Sequence, residues 1–224
     1  MAAPALAVAI KQHCRPVGHG TSQTGQAGRT IDAMAVWPLA LRRATPDHLQ
    51  TVIALIEDAA RWLQGQDTDQ WAQPWPTRPA RDTRILADLH DSRTWIGWDD
   101  GTPAATITVD PHPNMAWPDE FRRQPAVYIH RLVVSRRYAR AGLGGQLLDW
   151  ASWKAWRDHR APWVRLNAWT TNRRLHDYYR KQGFELCGHS ADDGYPSGAM
   201  FQRPTDEARP PSPALFREEP NGCR

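Results

Sequence analysis

The segment from Val127 to His159 constrains the fold most, because it passes from a strand pattern to a helix pattern through a glycine-rich turn. Residues Val127–Val134 (VYIHRLVV) form the strongest strand pattern in the chain. The turn Arg140-Ala-Gly-Leu-Gly-Gly145 follows, and apolar residues then recur at helical spacing from Gly142 to His159. This succession predicts a helix packed on a sheet.

The remaining patterns predict a mixed α/β domain. A Thr-Pro pair at 45–46 marks the start of a helix that ends near Leu63, and Asp-Asp-Gly at 99–101 is typical of a hairpin turn. Further strands are predicted at 39–43, 94–98, 104–109, 164–168, 184–187 and 199–202, and further helices at 80–90 and 172–181. The expected architecture is therefore one mixed sheet with flanking helices.

Two segments outside these patterns have the composition of tails. Residues 1–36 are rich in Gly, Thr, Gln and Ser without periodicity, and residues 204–224 contain prolines at 204, 210, 211, 213 and 220. Such segments bury too little apolar surface to offset their ordering entropy. We expect both to be disordered and the folded domain to span 37–203.

Cysteine usage and hydropathy exclude several classes of protein. The chain has 3 cysteines, which form neither a CxxC pair nor an even disulfide framework. No apolar run approaches the roughly 18 residues of a membrane-spanning helix, and the N-terminus lacks the pattern of a secretory signal. We expect a cytoplasmic protein without a metal site or membrane attachment.

Charge is divided unevenly along the chain. Residues 122–181 hold 14 Arg or Lys against three acids, a net charge of +11, whereas residues 44–121 hold five Arg against 13 acids, a net charge of −8. The first region favours a polyanionic ligand and the second a cationic one. The alternative is that these charges only solvate opposite helix faces.

The glycine-rich turn between strand and helix favours a phosphate-binding site. Its glycines allow close approach of the backbone, and the first amides of the helix present the positive end of the helix dipole. No Walker A lysine follows, and the GxGxxG spacing of dinucleotide sites is missing. Packing alone explains such a turn equally well.

A second motif is Asn172-Arg-Arg-Leu-His-Asp-Tyr-Tyr179-Arg-Lys-Gln-Gly183-Phe184, which opens a helix directly after a strand. Asn172 is suited to the N-cap and Gly183 to the C-terminal cap. Taken singly, Asn172 needs no role beyond capping, and Tyr179 needs none beyond packing.

The two motifs together resemble the GNAT superfamily of acyl-CoA N-acyltransferases, and the resemblance covers most of residues 39–202. It implies a mostly antiparallel sheet of six to seven strands with one splayed parallel pair, flanked by about four helices. It also implies that the strand before the turn pairs with pantetheine and that the turn binds the CoA pyrophosphate. The residues assigned to acetyl-CoA in this way are Leu132, Val133, Val134, Arg140, Ala141, Gly142, Leu143, Gly144, Gly145 and Asn172.

The resemblance also implies a mechanism in which an amine attacks the thioester directly. Tyr179 is then the acid that protonates the departing thiolate, and Asn172 contacts the CoA arm or orders the helix. The chain departs from the family at Ala139, where Gln or Arg is usual, which leaves Arg140 as the neighbouring phosphate contact.

The general base is predicted from strand periodicity. Tyr128, His130 and Leu132 share one strand face by the period of two, and His130 is suited to accept a proton from an ammonium group. A structural histidine and the carboxylates of the acidic half are the alternatives.

The loop between the first two helices is the candidate acceptor site. Trp71, Asp67 and Asp69 lie there with Trp62 and Trp75, and aromatic faces combined with carboxylates suit a cation. Packing in the core is the alternative for each tryptophan.

These features predict acetyl-CoA-dependent N-acetylation of a small, cationic amine, without nucleic acid or membrane as partner. The alternatives are transfer to a protein N-terminus or lysine and a CoA-binding module that senses acyl-CoA without turnover. By the resemblance, a homodimer is also expected.

Overall fold

A computed structural model describes residues 38–72, 77–192, 194–205, 209–212 and 214–220. One sheet of eight strands runs through these residues in the order β6-β7-β5-β4-β3-β2-β1-β8. The β4–β5 and β1–β8 pairs are parallel and the others are antiparallel. The strands are β1 (Leu39–Arg43), β2 (Thr94–Asp99), β3 (Thr102–Asp110), β4 (Ala126–Val134), β5 (Trp163–Ala168), β6 (Glu185–His189), β7 (Ala199–Pro204) and β8 (Phe216–Glu219).

Five helices accompany the sheet in the described part of the chain: α1 (Leu49–Leu63), α2 (Arg78–His90), α3 (Asp119–Arg122), α4 (Leu143–His159) and α5 (Arg173–Lys181). The predicted mixed α/β fold is confirmed. The sheet has eight strands and two parallel pairs, instead of the expected six to seven strands and one parallel pair, because β8 adds to the edge at β1. A 3₁₀ turn at Pro46–His48 precedes α1, capped by Thr45. The short helix α3 was not predicted, because four residues carry too little periodicity.

The helices cover the two faces of the sheet and create separate cores. On the back face, α4 and α5 bury Leu147 and Leu175 with residues of the central strands. On the front face, α1 and α2 bury Ile56 and Ile85 against β2 and β4. A third cluster around Trp117 covers β4 and β7 on the front face. The site described below lies where these layers meet.

A β-bulge interrupts β4 at Arg131 and Leu132. Thr108 pairs with His130 and Thr106 with Val133, so two residues of β4 oppose the single residue between them in β3. Arg131 takes a positive φ of 47° there. The prediction that Leu132 shares a face with Tyr128 and His130 is wrong, because the extra residue moves Leu132 into the back core.

The segment after β7 contains a strand. Residues 216–219 form β8 parallel to β1, and Leu215 O accepts a 2.9 Å hydrogen bond from Leu39 N. Trp150 Nε1 and Lys154 Nζ of α4 both donate to Glu218. The prediction that 204–224 is a disordered tail is wrong for this part, whereas the prediction for 1–36 lies outside the described residues.

Within the described residues, no helix has the length and apolar character needed to cross a membrane.

Candidate active site

The parallel strands β4 and β5 separate halfway along their length. They pair from Ala126 with Trp163 up to Ile129 with Leu166 and not beyond. The bulge follows immediately, and β4 continues as far as Val134 while pairing with β3. The backbone of Leu132–Val134 therefore lacks a strand partner on the β5 side, which is the geometry needed to pair with an extended ligand.

The glycine-rich turn lies at the end of β4, where α4 begins. Gly142 has a φ of 80° and forms the N-cap, and the first α-helical bond runs from Gln146 N to Gly142 O. The N–H groups of Leu143, Gly144 and Gly145 consequently have no acceptor within the helix. These amides point out of the N-terminus of a 17-residue helix, which favours an anion.

Arg140 has an unusual backbone conformation in the turn, and Gly145 has a close neighbour. Arg140 has a φ of 70°, although it is not glycine, and its side chain is exposed. A Cβ on Gly145 would lie 2.7 Å from Oε1 of Gln182, at the end of a flexible side chain, so the turn packs closely against the end of α5. The assignment of Gly145 to the cofactor stays a prediction.

Asn172 caps α5, as predicted. Its Oδ1 accepts from Leu175 N at 3.0 Å, and its Nδ2 donates to Gln70 Oε1 at 2.7 Å. Both polar atoms of the side chain are thus used inside the protein. Of the two roles predicted for Asn172, these contacts favour the ordering of α5.

The hydroxyl of Tyr179 is buried without a hydrogen-bond partner among the described residues. The ring packs between Phe184 and Phe201, with centroid separations of 5.8 and 5.6 Å. Burial, and then the proximity of Tyr178, raise the pKa of Tyr179 well above 10. The side chain is therefore protonated at neutral pH.

His130 lies on the front face, in the residue before the bulge. It is 4% exposed, and burial lowers its pKa to about 4 despite the opposing charge of Asp110. The imidazole is therefore neutral at pH 7, the state in which it accepts a proton. Tyr179 belongs to the core on the opposite face, so the predicted acid and base approach the strand divergence from two sides.

The loop between α1 and α2 contacts the N-terminus of α5. Asp69 accepts hydrogen bonds from Trp169 Nε1 at 3.0 Å and from the hydroxyl of Thr171, and the latter bond is the main reason that its pKa is lowered. Exposed Asp67 lines an open groove of about 450 Å³ together with Asp69 and residues 171–174. Asp69 thus fastens the loop to α5 as well as contributing to the groove.

The tryptophans predicted to contact the acceptor differ in their surroundings. Trp71 is half-buried with a φ of 59° and packs against the front core, as does Trp62. Arg136 stacks on the Trp62 ring with its guanidinium carbon 4.1 Å from the ring centroid. Trp75 lies outside the described residues.

Sequence reasoning missed three polar side chains at the strand divergence, namely Arg131, Asn167 and Ser197, which are 2%, 2% and 1% exposed. An arginine inside the apolar pattern VYIHRLVV was the available signal, since a buried charge requires a partner. Asn167 and Ser197 carried no comparable signal, because polar residues are common at strand ends and in loops.

The family model of the acetyltransferase (GNAT) family matches residues 56–184, more than half of the chain. The chain belongs to the GNAT acetyltransferase family. It is therefore an acetyl-CoA-dependent N-acyltransferase, and the free amides of the α4 turn and the unpaired Tyr179 hydroxyl fit this cofactor. Among the described residues, no cluster of three His, Cys, Asp or Glu side chains suits a metal ion.

Named relatives and solved structures are similar to this GNAT protein. The uncharacterized N-acetyltransferase YesJ of Bacillus subtilis is 28% identical over 156 residues, which cover 68% of this chain and 84% of YesJ. A GNAT acetyltransferase structure from Listeria monocytogenes superposes with a TM-score of 0.59 at 21% identity, covering 74% of this chain and 94% of that one. The PaiA N-acetyltransferase of Thermoplasma acidophilum, solved with coenzyme A, has a TM-score of 0.55 at 17% identity and covers 74% and 98%.

Proposed function

We propose that this enzyme transfers the acetyl group of acetyl-CoA directly to the primary amine of a small molecule, with both substrates bound in one ternary complex. The observation that carries the proposal is the divergence of β4 from β5 beside the α4 turn. The unpaired backbone of Leu132–Val134 suits the extended pantetheine arm, and the free amides from Leu143 onward suit the pyrophosphate. Arg140 adds positive charge beside the phosphates.

At neutral pH His130 is unprotonated and Tyr179 is protonated, which are the forms required of a base and of an acid, and burial makes each weaker in that role than the free side chain. Acetyl-CoA supplies an acetyl group already activated as a thioester. Neutral His130 accepts the proton of the amine, and a main-chain amide at the bulge donates to the acetyl carbonyl oxygen. The Tyr179 hydroxyl donates its proton to the departing sulfur.

The acceptor enters beside the loop between α1 and α2. Its amine is protonated in free solution, so it arrives as a cation. Asp67 and Asp69 provide negative charge in a groove that Arg173 and Arg174 also line, and Trp71 of the same loop provides an aromatic surface.

Titration of acetyl-CoA into the full chain by calorimetry, with a thiol-release assay over a panel of amines, tests this function. We expect micromolar binding and thiol release with small amines. Release only with peptides would redirect the proposal to protein acceptors, and release with no amine would contradict it.

Two glycine variants test the cofactor turn. Gly142→Asp should abolish acetyl-CoA binding, because it places a carboxylate against the phosphates. Gly101→Asp is the matched control, since Gly101 has the same φ of 80° but lies in the β2–β3 hairpin with no atom near its Cβ position. Equal loss of binding in both variants would contradict the assignment of the turn.

A further inference from the structure

Three side chains near the divergence of β4 and β5 bury polar atoms that have no hydrogen-bond partner among the described residues. These atoms are Nε and Nη1 of Arg131, Nδ2 of Asn167 and Oγ of Ser197. We call these three residues the donor cluster. Unpaired buried donors destabilise a protein, so several of them in one region indicate a ligand that supplies acceptors.

The elements around the divergence bring the donor cluster together. Arg131 lies in the bulge of β4 and pairs with Asp88 of α2 on the front face. Asn167 follows Leu166, whose partner Ile129 ends the β4–β5 pairing, so Asn167 lies level with His130. Ser197 belongs to the loop between β6 and β7.

Asn114 and Tyr195 lie close to residues of the donor cluster. Asn114 Nδ2 donates to Oδ1 of Asn167 at 3.2 Å, and the Asn114 side chain is also hydrogen-bonded to Tyr195. Tyr195 is close enough to Arg131 for the two groups to affect each other's pKa, and Ser197 follows two residues later. The unpaired atoms therefore belong to one region, next to the proposed base.

Arg131 shares its carboxylate partner with a second arginine. Burial, and then the charge of Arg84 on α2, lower the pKa of Arg131 to about 10. Asp88 is the carboxylate that pairs with Arg131, and its other oxygen is 2.8 Å from Nη2 of Arg93. Arg93 is also paired with Asp91 and Asp110, whereas Asp88 is the carboxylate that pairs with Arg131 among the described residues. A ligand carboxylate would add hydrogen bonds to the unpaired Nε and Nη1 of this buried arginine.

We propose that the donor cluster binds a carboxylate of the acceptor, so that the substrate is an amino acid or a related amine that carries an acid group. A carboxylate supplies acceptor oxygens for donors of this kind, and its hydrogen bonds with a guanidinium are charge-assisted. Binding there places the acceptor beside His130, the residue before Arg131. This inference rests on the proposed function and names its substrate class.

Matched pairs of acceptors test the inference. Thiol release is measured with α-, β- and γ-amino acids and with the corresponding amino amides, which keep the amine and the shape but lack the negative charge. For the best acceptor, we expect kcat/KM to be about 100-fold higher for the acid than for its amide. Equal values, or a preference for the amide across the panel, would overturn the inference.

Variants of the donor cluster test whether its residues cause the preference for an acid over its amide. Arg131→Gln should lower kcat/KM for the acid about 100-fold, with little change for the amide or for acetyl-CoA affinity. Asn167→Asp keeps the Oδ1 that accepts from Asn114 and Trp117 and adds a charge that repels a carboxylate, so it decides the question if Arg131→Gln does not fold. Arg123→Gln, on an exposed arginine, is the control for lost charge and should change neither value.

The proposed carboxylate site and the proposed function can be tested independently of each other. Binding of N-acetylated amino acids and of their amides is followed by saturation-transfer NMR on the full chain without acetyl-CoA. Binding of the acids to the wild type but not to Asn167→Asp would support the site even if no thiol is released. Turnover of amines with equal binding of acids and amides would overturn the site and leave the proposed function intact. Equal loss of acid and amide turnover in Asn167→Asp would also overturn it.

Discussion

Asn172 donates a 2.7 Å hydrogen bond from Nδ2 to Oε1 of Gln70, 102 residues earlier in the chain. Gln70 is 1% exposed and Asn172 is 9% exposed, so the bond is shielded from water. It joins the loop between α1 and α2 to the N-terminus of α5. The proposed acceptor loop and the helix that carries Tyr179 are thereby held as one unit.

Replacing Gln70 tests this connection. Gln70→Ala leaves Nδ2 of Asn172 buried without Gln70 as its acceptor, and we expect a loss of about 1–2 kcal/mol in the free energy of unfolding. Urea denaturation measures this loss. Gln64→Ala, on an exposed glutamine at the end of α1, is the control and should change stability by less than about 0.5 kcal/mol. Equal effects in both variants would show that the bond does not contribute.

Tyr179→Phe separates the chemical role of the hydroxyl from its structural role. The variant should lower kcat about 100-fold, because the departing thiolate loses its acid. Its free energy of unfolding should be unchanged or higher by about 1 kcal/mol, because the hydroxyl is buried without a partner in the described structure. Steady-state kinetics and urea denaturation measure the two quantities.

The neighbouring tyrosine provides the control for this variant. Tyr178→Phe removes a hydroxyl from the adjacent residue of α5, whose ring lies 5.6 Å from that of Tyr179. It should keep kcat within about threefold of the wild type. A Tyr179→Phe enzyme with normal kcat would remove Tyr179 from the mechanism.

Features set by local physics could be predicted from the sequence. The N-cap of Asn172 and the glycine that ends α5, Gly183 with a φ of 79°, depend on neighbouring residues, and both agree with the structure. The helix from Gly142 to His159 followed from periodicity in the same way, and the family resemblance supplied the parallel pair. The assignment of cofactor and acceptor residues stays a prediction.

Features set by distant contacts could not be predicted. The bulge at Arg131 depends on how β4 pairs with β3. Strand periodicity assumes that alternate residues share a face, so it cannot show where one extra residue is inserted. The strand at Phe216 follows a proline-rich segment, and it forms because β1 offers it an edge. The unpaired donors of Asn167 and Ser197 could not be predicted, because their burial without partners among the described residues depends on the folded structure.

Acid should destabilise the protein through His130. Burial lowers its pKa to about 4, whereas the unfolded value is 6.5. Between these two pKa values the unfolded chain binds a proton at His130 that the folded protein does not bind. The contribution of neutral His130 to the free energy of unfolding is therefore complete above pH 6.5 and is lost as the pH falls towards 4. We expect this residue to account for a loss of about 2 kcal/mol between pH 7 and pH 5.

Urea denaturation at the two pH values measures this effect. His130→Gln should be less sensitive to acid than the wild type by that amount, since glutamine does not titrate. His159→Gln, on the exposed end of α4, should keep the sensitivity of the wild type. An unchanged pH dependence in His130→Gln would contradict the lowered pKa.

The backbone at Arg140 provides another test. Its φ of 70° is unfavourable for any residue with a Cβ, so Arg140→Gly should raise the free energy of unfolding by up to about 1 kcal/mol. The same variant should weaken acetyl-CoA binding about tenfold, because a charge beside the phosphates is lost. Calorimetry and urea denaturation measure both.

Arg137→Gly is the matched control for Arg140→Gly. Arg137 is also exposed but does not have a positive φ, so glycine should lower stability there by about 0.5–1 kcal/mol. If both variants changed stability in the same direction, the strain at Arg140 would be ruled out.

Gly97 of β2 and Phe216 of β8 should be energetically coupled. A Cβ on Gly97 would lie 2.4 Å from Cε1 of Phe216, so Gly97→Ala should cost about 1–3 kcal/mol. Phe216→Ala removes the obstacle at a cost of about 3 kcal/mol. The double variant should lose at least about 1 kcal/mol less than the two losses combined.

A second glycine shows whether this coupling is specific. Gly65→Ala places its Cβ at an ordinary 3.6 Å from the carbonyl oxygen of Trp62. Its effect should add to that of Phe216→Ala in urea denaturation. Additive losses for the Gly97 pair as well would show that β8 does not pack there as described.

The pairing of β8 with β1 also imposes an order on biosynthesis. Arg42 and Glu219 form an ion pair across 177 residues, so β1 leaves the ribosome long before its outer partner exists. Until then β1 presents an open strand edge, which is the kind of surface on which nascent chains aggregate. The same late segment places Leu215 3.6 Å from the Cβ position of Gly142 and bonds its N–H to Gln146 at 2.8 Å. The glycine-rich turn before α4 thus acquires its final neighbours only when translation of the C-terminal strand is finished.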